Sequence, residues 1–153
     1  MLSNIKRVIP VLFIKNGFIV KSLKFDFHQI IGNPIEQASR LNDYNADELI
    51  YIDISRHKEY DLKRDDHKIK IKNNIFSIIL DISKVCQMPL SFGGNIYNSE
   101  TAIKFIYNGA DKVIINKMLF DEAEVKKTVK LLGSQAVIAS IDYKIISKKR
   151  IVF

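Results

Sequence analysis

Five apolar runs in this chain end in residues able to move a proton or hold an anion. Lys15 closes the first run, Asp53 the second, Gly93-Gly94-Asn95 the third, Asn116 with Lys117 the fourth, and Asp142 with Lys144 the fifth. A carboxylate can serve as general acid or base. Amide and ammonium groups donate hydrogen bonds to phosphate, and a glycine turn before a helix presents backbone N–H groups at a positive helix end. Lys21, on the segment after the first run, could swing over this set. Each signal also has a plainer reading: a two-glycine turn is often a simple connection, and a strand-end aspartate such as Asp53 or Asp142 can cap a neighbouring helix.

A second charged set stands at the opposite ends of the runs, with Arg7 before the first, Glu48 before the second and Lys112 before the fourth. It is either a ring of solvated charges or a salt-bridged ring around a lower opening. His28, His57 and His67 fall in predicted loops without metal-ligand spacing and read as surface residues, so no metal or cofactor is expected. Cys86 follows an apolar helix and reads as a buried small side chain, not a nucleophile. No P-loop and no GxGxxG is present.

The elements that must carry these residues alternate regularly. Arg7–Ile14 is a nearly unbroken apolar run, as in strands buried on both faces, with Pro10 removing one ladder donor. Asn16-Gly17 predicts a tight turn into a short returning strand, Phe18-Ile19-Val20. Asn33 and Pro34 begin a helix that runs to about Asn45 with Ile35, Ala38 and Leu41 on one face. Glu48–Ile54 is the next strand. Arg56–Lys72 reads as a solvated loop leading into a helix striped by Ile75, Ile78, Ile79 and Ile82. Pro89–Gly94 is a third strand, followed by a helix capped by Ser99 with Ala102, Ile103, Ile106 and Tyr107 facing inward. Lys112–Asn116 is a fourth strand. Asp121 opens a helix that Gly133 ends, Gln135–Asp142 is a fifth strand, and Ile151-Val152-Phe153 begins another.

This alternation implies right-handed βαβ units and a parallel sheet. Tyr44-Asn45-Ala46-Asp47-Glu48-Leu49-Ile50 echoes Tyr107-Asn108-Gly109-Ala110-Asp111-Lys112-Val113-Ile114, and two βα units separate the copies. Such an echo suits a barrel of repeated quarters better than a doubly wound sheet. The expected fold is therefore α/β, the N-terminal half of a (βα)8 TIM barrel with about five strands and four helices, in one incomplete domain over 1–153. A full barrel needs ~250 residues. A truncated chain is the favoured explanation, the alternative being completion by another chain, and the first and fifth strands are expected to be open edges.

Composition narrows the class. With 47% apolar residues the chain is not disordered, and no apolar run approaches the ~20 residues of a membrane span. One cysteine and no secretory pattern lead to an expectation of a reducing cytoplasm. The net charge of +7 comes from dispersed cations without interleaved aromatics, which argues against nucleic acid as a partner.

Over its whole length the chain resembles the cyclase subunit of imidazole glycerol phosphate synthase. The resemblance is carried by Arg7-Val8-Ile9-Pro10, Lys15-Asn16-Gly17, Val20-Lys21, Gly32-Asn33-Pro34, Asp47-Glu48-Leu49, Ile52-Asp53-Ile54, Gly93-Gly94-Asn95-Ile96, Gly109–Val113 with Ile115-Asn116, Gly133–Val137 and Ile141-Asp142-Tyr143-Lys144. It implies a (βα)8 barrel that takes ammonia from a glutaminase docked below and closes an imidazole ring above. By resemblance, Arg7, Glu48 and Lys112 match three of the four residues of a charged gate at the ammonia entrance, and Asp111 a residue of the glutaminase interface. Asn116 and the Gly93-Gly94 turn match a phosphate site, Lys21 a mobile-loop lysine and Asp142 the second catalytic aspartate. The family's first catalytic aspartate has no counterpart: Phe13 holds its place in Leu12-Phe13-Ile14-Lys15. Asn95 replaces a third turn glycine, and Lys117 a phosphate-site threonine. An intact lower face beneath an altered upper face resembles the paralogues that work with a glutaminase, and with a sugar amidotransferase as a further partner, in making acetamidino sugars on surface glycans. The competing expectation is an active cyclase with Asp53 as substitute acid. An inert fragment that retains only partner docking is the third.

Overall fold

The computed structural model describes residues 6–24, 26–56, 60, 72, 74–146 and 149–152. Five strands form the parallel body of one sheet: β1 (Val11–Lys15), β4 (Leu49–Asp53), β5 (Leu90–Gly93), β6 (Lys112–Ile115) and β7 (Val137–Ala139). Helices α1 (Pro34–Asp43), α2 (Ile75–Val85), α3 (Ser99–Tyr107) and α4 (Glu122–Leu132) alternate with them. Two further strands, β2 (Phe18–Leu23) and β3 (Phe27–Gly32), extend the sheet antiparallel beyond β1, giving the order β3-β2-β1-β4-β5-β6-β7. The architecture is α/β and matches part of a (βα)8 barrel, as expected.

Local chemistry accounts for the element ends. Asn16 (φ 49°) and Gly17 (φ 82°) both adopt the left-handed conformation that a two-residue hairpin turn between right-twisted strands requires. The Asn33 side chain accepts from Ile35 N and Glu36 N, with Pro34 in the first helical turn. Asp121 caps α4 by accepting from Glu124 N. The cap of α3 is Asn98, which accepts from Thr101 N, one residue before the expected Ser99.

Side chains alternate between the sheet's two faces. Ile14, Leu49, Tyr51, Leu90, Phe92, Val113 and Ile115 pack with Ile78, Ile79, Ile82, Ala102 and Phe105 in the main core. Tyr51 stacks on Phe92 at 5.3 Å between centroids, and its hydroxyl donates to the Pro34 carbonyl at 2.7 Å. On the other face the register aligns Phe13, Ile52, Gly93, Ile114 and Ile138 in one row across five strands. A Cβ on Gly93 would lie 2.9 Å from both Ile114 Cβ and Ile52 Cδ1, so glycine is what lets those two side chains close over β5. One row lower stand Val11, Ile50, Ser91 and Lys112.

The sequence echo is a structural one. Asp47 N donates to the Val8 carbonyl while Val8 N donates to Asp47 Oδ2; Asp111 N donates to the Leu90 carbonyl while Leu90 N donates to Asp111 Oδ2. Both copies use a residue with positive φ, Asn45 and Gly109, to leave the preceding helix.

Several expectations are corrected. The upper part of β1 is not an open edge, because β2 pairs with it through Phe13↔Val20, Ile14↔Ile19 and Lys15↔Phe18. Tyr107 does not face inward but is 85% exposed, and Phe105 takes the buried position instead. Ile151 and Val152 do not begin another strand of the barrel: β9 (Lys149–Val152) pairs antiparallel with β8 (Tyr143–Ile146) in a separate two-stranded sheet. His28 lies in β3, half-buried, not in a surface loop. His57 and His67, and most of the charged stretch 56–72, lie outside the described residues. Among the described residues no helix is long and apolar enough to cross a membrane.

Candidate functional site

The inward face of the sheet forms a cleft of about 680 Å³. Its floor and walls are apolar, with Val11, Phe13, Ile50, Ile52, Ile114 and Ile138; its upper rim carries Gly94, Asn95, Asn116, Lys117 and Asp142. The strand tops therefore gather most of the polar residues expected there. Each is placed by the element that ends beneath it.

At the rim the polar groups are largely committed to one another. Asn116 Nδ2 donates to the Ser140 carbonyl at 2.9 Å and to Asp142 Oδ2 at 3.1 Å, which ties β6 to the end of β7. Asn95 (φ 56°) donates to the Ser55 carbonyl at 3.0 Å and accepts from the Tyr97 hydroxyl at 3.2 Å. Lys117 Nζ stands over the Tyr97 ring, 6.0 Å from its centroid. Gly94 (φ 99°) crosses so close above Asp53 that a Cβ there would overlap the Asp53 carbonyl oxygen. Gly93 shapes the row below and does not line the cleft. Lys21 sits exposed on β2, opposite Gln29, and Lys144 is exposed on β8; neither lines the cleft.

Phe13 occupies the inward row beside Ile52, with an aromatic ring where a carboxylate would face the cleft. Asp53, the expected substitute acid, also lines the cleft, but its carboxylate is bonded on the other side of the strand. Strand alternation sets its side chain with those of Leu49 and Tyr51, away from the row of Phe13 and Ile52. Its Oδ1 accepts from Ser55 N at 2.9 Å and its Oδ2 from the Tyr60 hydroxyl at 2.9 Å. Burial raises its pKa above the ordinary aspartate value, only partly offset by the bonds from Ser55 and Tyr60. Burial, with the neighbouring Asp53, also drives the Tyr60 phenol well above its usual range.

The strand starts hold a different kind of site. Glu48 is 3% exposed and accepts four hydrogen bonds. Arg7 reaches Oε2 at 2.9 Å, Lys112 reaches Oε1 at 2.9 Å and Oε2 at 3.0 Å, and the Ser91 hydroxyl reaches Oε1 at 2.6 Å. Burial pushes the Glu48 carboxyl up, but the bonds from Ser91 and Lys112, the Lys112 charge and the Arg7 bond outweigh it and hold the pKa below the ordinary glutamate value. Arg7, Glu48 and Lys112 are thus brought together as a hydrogen-bonded cluster, not spread as solvated charges. Asp111 lies at the same end, where its carboxylate binds Leu90 N at 2.8 Å and fixes the start of β5. Ser91 was not anticipated. Its signal is a small polar residue interrupting the apolar run Pro89–Phe92.

Residues 7–152 match the protein family described as "Histidine biosynthesis protein". The chain is 34% identical over 149 residues to a protein of Saccharolobus solfataricus named "Imidazole glycerol phosphate synthase subunit HisF", covering 97% of this chain and 55% of that protein. It is 35% identical over 140 residues to the protein of the same name from Chloroherpeton thalassium, covering 91% of this chain and 51% of that protein. The protein of that name from Sulfolobus acidocaldarius is 32% identical over 149 residues, covering 97% of this chain and 55% of its own length. The chain spans about half the length of the curated relatives it matches.

Proposed function

The chain belongs to the histidine biosynthesis protein family, among relatives named as the HisF subunit of imidazole glycerol phosphate synthase, and on that premise we propose that it is a cyclase-like barrel subunit that conducts ammonia without closing a ring itself. A glutaminase subunit docks at the strand starts, where Asp111 lies, and releases ammonia at the port formed by Arg7, Glu48 and Lys112. The ammonia leaves at the strand tops for a separate sugar amidotransferase acting on a surface-glycan sugar. The observation that carries this reading is the contrast between the two ends. At the lower end Arg7, Lys112 and Ser91 all bond the buried Glu48 carboxylate. The upper site has Phe13 in the inward row.

Phe13 cannot carry a proton at any pH, and loss of a general acid or base typically costs ~10²–10⁴ in rate. Asp53 does not replace it, because its carboxylate is bound to Ser55 and Tyr60. Asp142 remains at the rim, but one of its oxygens holds Asn116, whose amide therefore offers fewer donors to a phosphate.

A second reading, an active cyclase of histidine biosynthesis, is favoured by the names of the relatives. One assay separates the two. The full-length protein is given the phosphoribulosyl intermediate with free ammonium, bypassing any glutaminase. Ring closure no faster than background supports the conduit, and robust turnover overturns it. Gel filtration with the glutaminase tests the premise common to both, since neither channelling reading survives if no complex forms.

A further inference from the structure

We infer that Ser91 is a positioning residue of the lower ion cluster, a fixed hydroxyl that keeps the Glu48 carboxylate oriented while the Lys112 ammonium leaves and returns. The inference rests on the port reading above. Ser91 is 0% exposed, and its Oγ stands 2.6 Å from Glu48 Oε1, the oxygen that also receives Lys112 at 2.9 Å. The other two partners are long side chains reaching in from outside, Arg7 51% and Lys112 29% exposed. A serine has one rotatable side-chain bond and little entropy to lose, so of the three donors its position is the most firmly set.

The internal repeat indicates that the fold does not require a hydroxyl there. Val8 in the first copy and Leu90 in the second make the same reciprocal pair of bonds with an aspartate. The next residue is Ile9 in the first copy and Ser91 in the second. The serine faces Lys112 across the β5–β6 register, with Ile50 on its other side. An apolar residue suits this seat in one copy; in the other, a buried carboxylate needs a donor.

The consequence concerns the open state of the port. For a small molecule to pass, the ammonium must move off the carboxylate, removing two of the four bonds to Glu48. A buried carboxylate left underbonded is costly and tends to turn towards water or take up a proton. With Ser91 in place it retains a buried donor on Oε1 and Arg7 on Oε2. Without Ser91 it relies on an exposed guanidinium alone.

The test uses the full-length protein as wild type, Ser91→Ala and Ser91→Thr. Carboxyl 13C NMR follows the titration of Glu48, and 15N NMR follows solvent exchange of the Lys112 ammonium protons. Ser91→Ala should move the Glu48 midpoint upward by about one pH unit and alter Lys112 exchange severalfold, while Ser91→Thr restores both. Wild-type values for both signals in a folded Ser91→Ala protein would overturn the inference. Should that variant not fold, Ser91→Cys keeps the side chain's shape with a much weaker donor and must show the same direction of change. Glutamine-driven amide delivery in the glutaminase complex, compared between wild type and Lys112→Met, reports on the port reading separately: if delivery is unaffected that reading fails, whatever the NMR signals show.

Discussion

Glu48 and Lys112 occupy the same seat in two copies of one helix-to-strand motif, and their side chains meet at 2.9 Å across the strand between them. The motif fixes each seat through the aspartate before it, Asp47 in one copy and Asp111 in the other. Opposite charges at equivalent positions therefore pair by construction. Replacing Lys112 with Met should leave Glu48 buried with Ser91 and Arg7 as its partners. Because Lys112 is partly solvated, the expected cost is about 2 kcal/mol, below that of breaking a fully buried pair. Urea unfolding of the full-length protein measures it, and an unchanged midpoint would mean that the pair contributes nothing net.

The pH dependence follows from the two shifted carboxyls, which act in opposite senses. Glu48 has a folded pKa below its unfolded value of ~4.3, so its contribution is fully present above that pH and is lost as pH falls through the folded pKa. Asp53 has a folded pKa above its unfolded value of ~3.9, so its ionisation opposes folding and stability declines as pH rises from there through the folded pKa. Glu48→Gln should flatten the acid limb of a stability–pH curve below about pH 4.5, and Asp53→Asn should remove a decline above about pH 4. Thermal melts from pH 3 to 7 distinguish the two by the sign of the slope each variant abolishes.

Gly94 has no tolerable substitute. Its φ of 99° disfavours any side chain, and a Cβ would overlap the Asp53 carbonyl oxygen. Gly94→Ala should destabilise by about 3 kcal/mol or more, as the sum of backbone strain and displacement of the end of β4. Asn95→Gly next to it, where φ is 56°, should relieve strain yet lose the bond to Ser55, leaving stability within about 1 kcal/mol of wild type. Parallel denaturation curves for the two variants check the contrast.

The alternation of strands and helices was legible because these strands carry apolar side chains on both faces and read as nearly unbroken apolar runs, while Asn33-Pro34 and Asp121 announce two helices plainly. Strand β3 was not legible. The turn that leads to it uses Lys24 in the left-handed region (φ 54°), where neither glycine nor asparagine marks the reversal. The helix cap at Asn98 was displaced to Ser99 because both residues are good caps and spacing does not separate neighbours. At the site, the types and strand ends of Arg7, Glu48 and Lys112 were readable, but their pairing needed the register that brings β4, β5 and β6 side by side. Asp53 was legible as a strand-top carboxylate, but its bonds to Ser55 and Tyr60 needed the structure.

The two aspartates of the repeat provide a paired prediction. Asp47→Ala and Asp111→Ala each remove a carboxylate that accepts from a backbone N–H of a neighbouring segment, Val8 just before β1 in one case and Leu90 at the start of β5 in the other. Each should cost about 1–2 kcal/mol, and the double variant should cost close to their sum, because the two clamps share no partner. If Asp111→Ala weakens glutaminase binding beyond its stability cost, by titration calorimetry at a temperature where both proteins are folded, it also contributes to the interface directly.

Phe13→Asp tests how much of the upper site has changed. The substitution places a carboxylate in the inward row beside Ile52, in an apolar stretch where ionisation is disfavoured, so the new group should titrate above the ordinary aspartate range. It also removes a large aromatic surface and should cost about 3 kcal/mol of stability. Under the proposed conduit function, ring closure would need more than this acid. Asn116 is bound to Ser140 and Asp142, and Lys117 stands over Tyr97 at the rim, so the groups around a phosphate would remain those of the altered site. Ring closure with free ammonium should therefore stay within about tenfold of the parent, well short of the ~10²–10⁴ that a correctly placed acid or base supplies. Recovery of the full factor from this one change would mean that the rim still binds substrate and would overturn the conduit proposal.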